Sequence, residues 1–133
     1  MNWTRYFLAV LLSGVASSFT DWFFMGILFH DRYMAAPEVW RGKPGEQQPS
    51  RILMSILVGL VSCAAFIYLC WFTNMLTAKA ALTLAVIVWL AGPLPLIRTN
   101  IVWIRMHPLL GVSHSLGWLA RFVVSALIAA WLL

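Results

Sequence analysis

Two charged side chains stand inside long apolar runs. Asp21 is the only ionisable residue between Tyr6 and Phe29, and Arg121 is the only Asp, Glu, Lys or Arg in residues 113–133. A charge at the centre of a membrane span costs about 3 kcal/mol on insertion scales, so it normally faces a protein interior and finds a partner. Asp21 lies ten residues before Asp31, and Arg121 eight after Ser113. At 1.5 Å per residue both sit about 12–15 Å in from the same membrane face. Equal depth predicts an Asp21–Arg121 ion pair, with Arg98 as the competing cation. Such a pair has two uses: a clasp between the first and last spans, or the floor of a polar cavity.

The candidate ligand pocket consists of Asp21, Trp22, Arg98, Asn100, His114 and Arg121. Trp22 adjoins Asp21, and with Trp89 it would supply an apolar wall. His30, His107 and His114 all fall near one face, but none has the HxxxH or HExxH spacing of a metal site. No two of them match in depth for haem, so neither a metal nor a cofactor is expected. Pro108 and Gly111 argue against one continuous helix from His107 to His114. No GxSxG and no glycine-rich phosphate loop occurs, so no catalytic residue is assigned. Cys63 and Cys70 are two helical turns apart, about 10 Å along the axis, too far for a disulfide.

The elements that hold these groups follow from composition. The 133 residues are 62% hydrophobic and 10% charged, with a mean hydropathy of +0.88. A soluble domain carries about 25% charged residues, so a water-soluble globule is excluded. Net charge is +5, but the basic residues cluster at the ends of apolar runs. That pattern sets orientation and contacts anionic headgroups, and no nucleic acid is expected.

Spanning a bilayer takes about 20 apolar residues. The sequence predicts an all-α, polytopic single domain, residues 1–133, with spans at about 5–29, 51–76, 79–97 and 113–133 and a polar loop at 30–50. The N-terminus resembles a signal peptide, but its apolar character continues to Phe29, so it reads as a retained first helix. A short helix is expected from Pro37 to Trp40 and a turn at Gly42-Lys43-Pro44-Gly45. Ser50 is expected as the N-cap of the second span. Thr77-Ala78-Lys79 reads as the turn of an antiparallel helical hairpin. Gly92-Pro93-Leu94-Pro95 should kink or break the third span.

In lipid, helices meet through small residues. Such stripes are Ser13, Ser17 and Asp21; Ser55, Gly59 and Cys63; Ala81, Ala85 and Gly92; and Ser113, Gly117, Arg121, Ser125 and Ala129. Trp3, Trp40, Trp71, Trp103, Trp118 and Trp131 read as interfacial anchors. Arg32, Arg41, Lys43, Arg51, Arg98 and Arg105 lie in the loops on one side, Arg5 and Lys79 on the other. The positive-inside rule then places loops 30–50 and 98–112 in the cytoplasm and both termini outside the inner (plasma) membrane.

With Trp22, Gly26, Leu28-Phe29, the basic loop, Gly92-Pro93 and the run His114-Ser115-Leu116-Gly117-Trp118-Leu119 in view, the chain resembles a bacterial family. Its members are small four-helix integral membrane proteins catalogued as a domain of unknown function. The resemblance covers the whole length, implies four spans and transfers no catalytic residues. The leading expectation is a protein that binds or transports an amphiphilic or lipid-like small molecule in a polar intramembrane pocket. The alternatives are an accessory subunit of a larger membrane complex and a membrane enzyme acting on a lipid or isoprenoid-like substrate. Expected partners are membrane lipids and a second copy of the chain or a larger membrane complex.

Overall fold

The computed structural model describes residues 1–37, 48–104 and 106–133. Most of the expected helix from Pro37 to Trp40, the turn at Gly42-Lys43-Pro44-Gly45, and the charges Arg41, Lys43 and Arg105 lie outside the described residues. The regular structure is all helical: α1 (Trp3–Trp22) continuing into a π-helical segment (Phe23–Leu28), α2 (His30–Met34), α3 (Pro49–Phe72), α4 (Ala78–Ala91), α5 (Pro93–Trp103) and α6 (Pro108–Leu132). Four helical stretches, Trp3–Leu28, Pro49–Phe72, Ala78–Trp103 and Pro108–Leu132, are long and apolar enough to cross a membrane. The chain is a multi-pass membrane protein.

Local chemistry explains where these helices begin and end. Asn2 caps α1 by accepting the Arg5 N–H at 3.2 Å, and Thr77 caps α4 by accepting the Ala80 N–H at 3.3 Å. α3 starts two residues earlier than expected: Gln48 is its N-cap, Pro49 takes the first position and Ser50 lies inside the first turn. The third span breaks at Gly92, with φ −120° and ψ −85°, because Pro93 and Pro95 lack donors for the preceding turns. α6 also starts early, at Pro108. His107 caps it by accepting the Leu109 N–H at 3.2 Å, and the proline occupies the first turn, where its missing donor leaves no bond unmade. The helix therefore runs unbroken through Gly111 to His114, contrary to the sequence expectation.

Helical hydroxyls in an apolar medium need acceptors. Ser18, Ser62, Thr83 and Thr99 each donate to the carbonyl four residues back, at 2.8–2.9 Å.

α6 is the axis of the bundle and packs against α1, α3, α4 and α5. Its stripe Ser113, Gly117, Arg121, Ser125 and Ala129 is buried throughout, as are Ser13 and Ser17 on α1, Gly59 and Cys63 on α3, and Ala81 and Ala85 on α4. Ser55 and Gly92, at the ends of their stripes, are exposed. The Tyr6 hydroxyl donates to Ala64 O across α1 and α3 at 3.0 Å, and Trp89 Nε1 donates to Ser115 O across α4 and α6 at 2.9 Å. α4 lies against α6 rather than along α3, so the short Thr77 connection does not make a packed hairpin. A gap of about 250 Å³ separates α3 from α4, floored by Trp118 and Phe122 of α6.

Candidate intramembrane site

The buried pair forms where three helices converge. Arg121 Nη2 on α6 donates to Asp21 Oδ2 near the end of α1. One glycine leaves room for it: a Cβ at Gly117 would press on Asp21 Oδ1 at 3.3 Å, whereas one at Gly59 of α3 would meet Arg121 Nη2 at an ordinary contact distance of 3.5 Å. The Arg121 guanidinium carbon also lies 4.6 Å from the Trp118 ring centroid, a cation–π contact one turn away on the same helix. Arg121 Nε is buried and has no hydrogen-bond partner among the described residues.

The two partners differ in how they meet their surroundings. The Arg121 side chain is 11% exposed and that of Asp21 34%. The carboxylate opens onto a cavity of about 310 Å³ between the end of α1, the first half of α3 and α6. Asp21, Ser55, Ser113, His114 and Arg121 supply its polar lining, and Phe24, Met25, Met54, Val58 and Trp118 its apolar lining. This volume is at the low end of small-molecule sites, roughly 300–1,000 Å³.

Two local features shape the cavity wall. After Trp22 the helix widens, and Phe29 N–H bonds to Phe24 O, five residues back, at 2.9 Å. Above the cavity, Tyr33 of α2 is buried, donates to Ser113 Oγ at 3.3 Å, and sets its ring edge-on to His114 with centroids 5.9 Å apart. Burial pushes the Tyr33 phenol above its ordinary value of 10.0, so the donor is retained at neutral pH.

Of the six candidate residues, Asp21, His114 and Arg121 come together here. The other three are elsewhere. Trp22 is one residue past Asp21, hence about 100° around the helix; it is 61% exposed and lines an apolar groove between α1 and α3 with Gly14, Phe19 and Leu60. Its indole lies over Gly26, one turn on. Arg98 sits on α5, exposed, beside a separate cavity against α6 that also holds Trp89, so Trp22 and Trp89 share no wall. Asn100, half-buried on α5, borders neither cavity. Both residues lie on α5, beyond the break at Gly92, and neither lines the Asp21 cavity.

Sequence reasoning missed Ser55, Met25, Met54 and Trp118 as cavity walls. Trp118 was expected as an interfacial anchor, but it stacks on Arg121 inside the bundle. Its spacing of three residues before Arg121 was the available signal. Trp3, Trp103 and Trp131 are exposed, at 58%, 83% and 75%.

No curated protein and no solved structure matches the chain. A model of one family, described as a protein of unknown function (DUF1761), matches residues 8–130, which takes in both halves of the Asp21–Arg121 pair, the second and third spanning stretches and most of the first and last. The chain belongs to that family.

Proposed function

We propose that this protein binds an amphiphilic small molecule, whose polar head sits on the Asp21–Arg121 floor and whose tail lies in the bilayer. The observation that carries this reading is the asymmetry of the pair: a nearly buried guanidinium holding a carboxylate that is one-third exposed to an open cavity. A clasp serving only packing calls for no cavity beside its carboxylate. The mixed polar and apolar lining suits a ligand with a head and a tail. Orientation follows the charge count, with the basic loops in the cytoplasm of a bacterial inner membrane. In the transport form of this reading, binding is the first step and two copies of so small a bundle build the path.

The test is native mass spectrometry of the chain extracted with its own lipids into nanodiscs. A bound amphiphile present in the wild type and lost in Asp21→Asn and Arg121→Ala supports the reading. Ligand-free spectra in all three would reduce the pair to a clasp and favour a role as an accessory subunit.

A further inference from the structure

The two elements flanking the cavity are unpacked in a way the rest of the bundle is not. Residues 49–58, the first ten of α3, are exposed at every position, around the whole helix. Ile52, Leu53, Met54 and Val58 are 51–61% exposed although all are apolar. No residue of the facing π-helical segment, Phe23–Leu28, is buried. Further along, α1 and α3 close through Ser17 on Cys63, 3.8 Å apart, and Tyr6 on Ala64. The two helices therefore meet at one end and part at the other. The cavity occupies the parted end, walled by residues of both exposed segments.

Both charges line the cavity, but the carboxylate is the more open of the two: Arg121 spends Nη2 on Asp21, its Nε is buried, and its side chain is 11% exposed against 34% for Asp21. What a ligand meets first is the Asp21 carboxylate, with Phe24 among the other walls of the cavity and the Trp118 ring already holding Arg121. A phosphate or sulfate head would face that carboxylate with its cation already engaged. A positively charged head would gain a charge-assisted hydrogen bond. Room for about 310 Å³ admits a headgroup and the start of a chain, leaving the tail between the two exposed segments.

We infer that the site takes an ammonium-headed amphiphile, which arrives laterally from the bilayer between Phe23–Leu28 and the first half of α3, its head on Asp21. This rests on the amphiphile reading above and adds the headgroup class and the route. The ammonium comes either from an aminophospholipid or from a free long-chain amine.

The experiment loads the full chain, in phosphatidylcholine nanodiscs, with dodecylammonium, dodecyl sulfate or dodecanol, and counts adducts by native mass spectrometry. The expected result is one dodecylammonium per chain, with dodecyl sulfate and dodecanol retained about tenfold less, the loss that goes with one charge-assisted hydrogen bond. Asp21→Asn should abolish the preference. Met54→Trp, at a position 61% exposed, should block that route and the adduct without changing thermal stability, which decides the matter if Asp21→Asn does not fold. Equal retention of all three probes would overturn the headgroup class while leaving the amphiphile reading standing. Retention of dodecylammonium in Met54→Trp would overturn the route. No adduct with any probe, and no native amphiphile, would overturn both readings. In phosphatidylethanolamine nanodiscs, a blocked dodecylammonium adduct supports the site with an aminophospholipid as its source, and an unblocked one supports it with a free amine.

Discussion

At the residue scale the central fact is that the two charges of one pair are unequally replaceable. A guanidinium does not lose its proton in proteins, whereas a carboxylate can take one up. Arg121 is also the more deeply buried of the two. Removing Asp21 strands a cation in the bundle, while removing Arg121 leaves a partly exposed acid that can neutralise itself. Asp21→Ala should therefore lower the thermal unfolding midpoint more than Arg121→Ala, the former by the equivalent of about 3 kcal/mol or more, as for a broken buried pair. Differential scanning fluorimetry of both variants in one detergent checks the order. Gly117→Ala probes the other side of the carboxylate: a methyl 3.3 Å from Asp21 Oδ1 forces the carboxylate to shift. It should reduce amphiphile occupancy at a stability cost of only about 1 kcal/mol. Occupancy and melting, measured on the same sample, separate the two effects.

At the element scale, what the sequence made legible was what depends on spacing along one helix. The four-residue stripe through Ser113, Gly117 and Arg121 pointed inward because those positions share a face, and depth matched Asp21 to Arg121 across the bundle. What it hid depends on how helices diverge. Trp22 looked like a cavity residue by adjacency in sequence, yet one helical step turns it outward. Arg98 and Asn100 looked near Asp21 until the break at Gly92 set the course of α5. Pro108 read as a barrier, although a proline in a first turn is a start signal. The π-helical widening after Trp22 has no sequence signature, since nothing in Phe23–Leu28 differs from ordinary apolar helix. The break itself is testable: Pro93→Ala with Pro95→Ala restores two donors and should let α4 and α5 run as one helix. Spin labels at positions 79 and 103 should then move apart, as read by pulsed dipolar spectroscopy. Tyr33 gives a pH test at the same scale. Its value is raised by burial, so the stability it lends to the seat of α2 on α6 is present below pH 10 and lost as pH climbs through the raised value. Protection factors across α2, which remove the rise of the intrinsic exchange rate with pH, should hold up to about pH 10 and fall above it.

At the scale of the whole molecule, composition settled the class and packing settled the hub. A chain with so little charge has to use lipid as its solvent, and its exposed leucines, valines and phenylalanines are the expected outer surface. Burial is greatest on α6 because that helix alone touches α1, α3, α4 and α5. The basic residues fall mainly on one side of the four spans, so alkaline phosphatase fused at the C-terminus should be active and a green fluorescent protein there dark. The reverse pattern would invert the orientation and put the mouth of the cavity near the outer face.

The claim beneath all of this is that the Asp21–Arg121 pair is a ligand floor and not merely a joint between helices. Replacing both partners at once separates these roles, because an apolar pair of similar size leaves no unpaired charge behind and is often neutral or stabilising. The decisive measurement is the native mass spectrum of Asp21→Leu/Arg121→Leu released from native nanodiscs, beside its melting curve. The account predicts a folded chain, melting at or above the wild type, that carries no amphiphile. A folded double variant that still carries the wild-type ligand would contradict it.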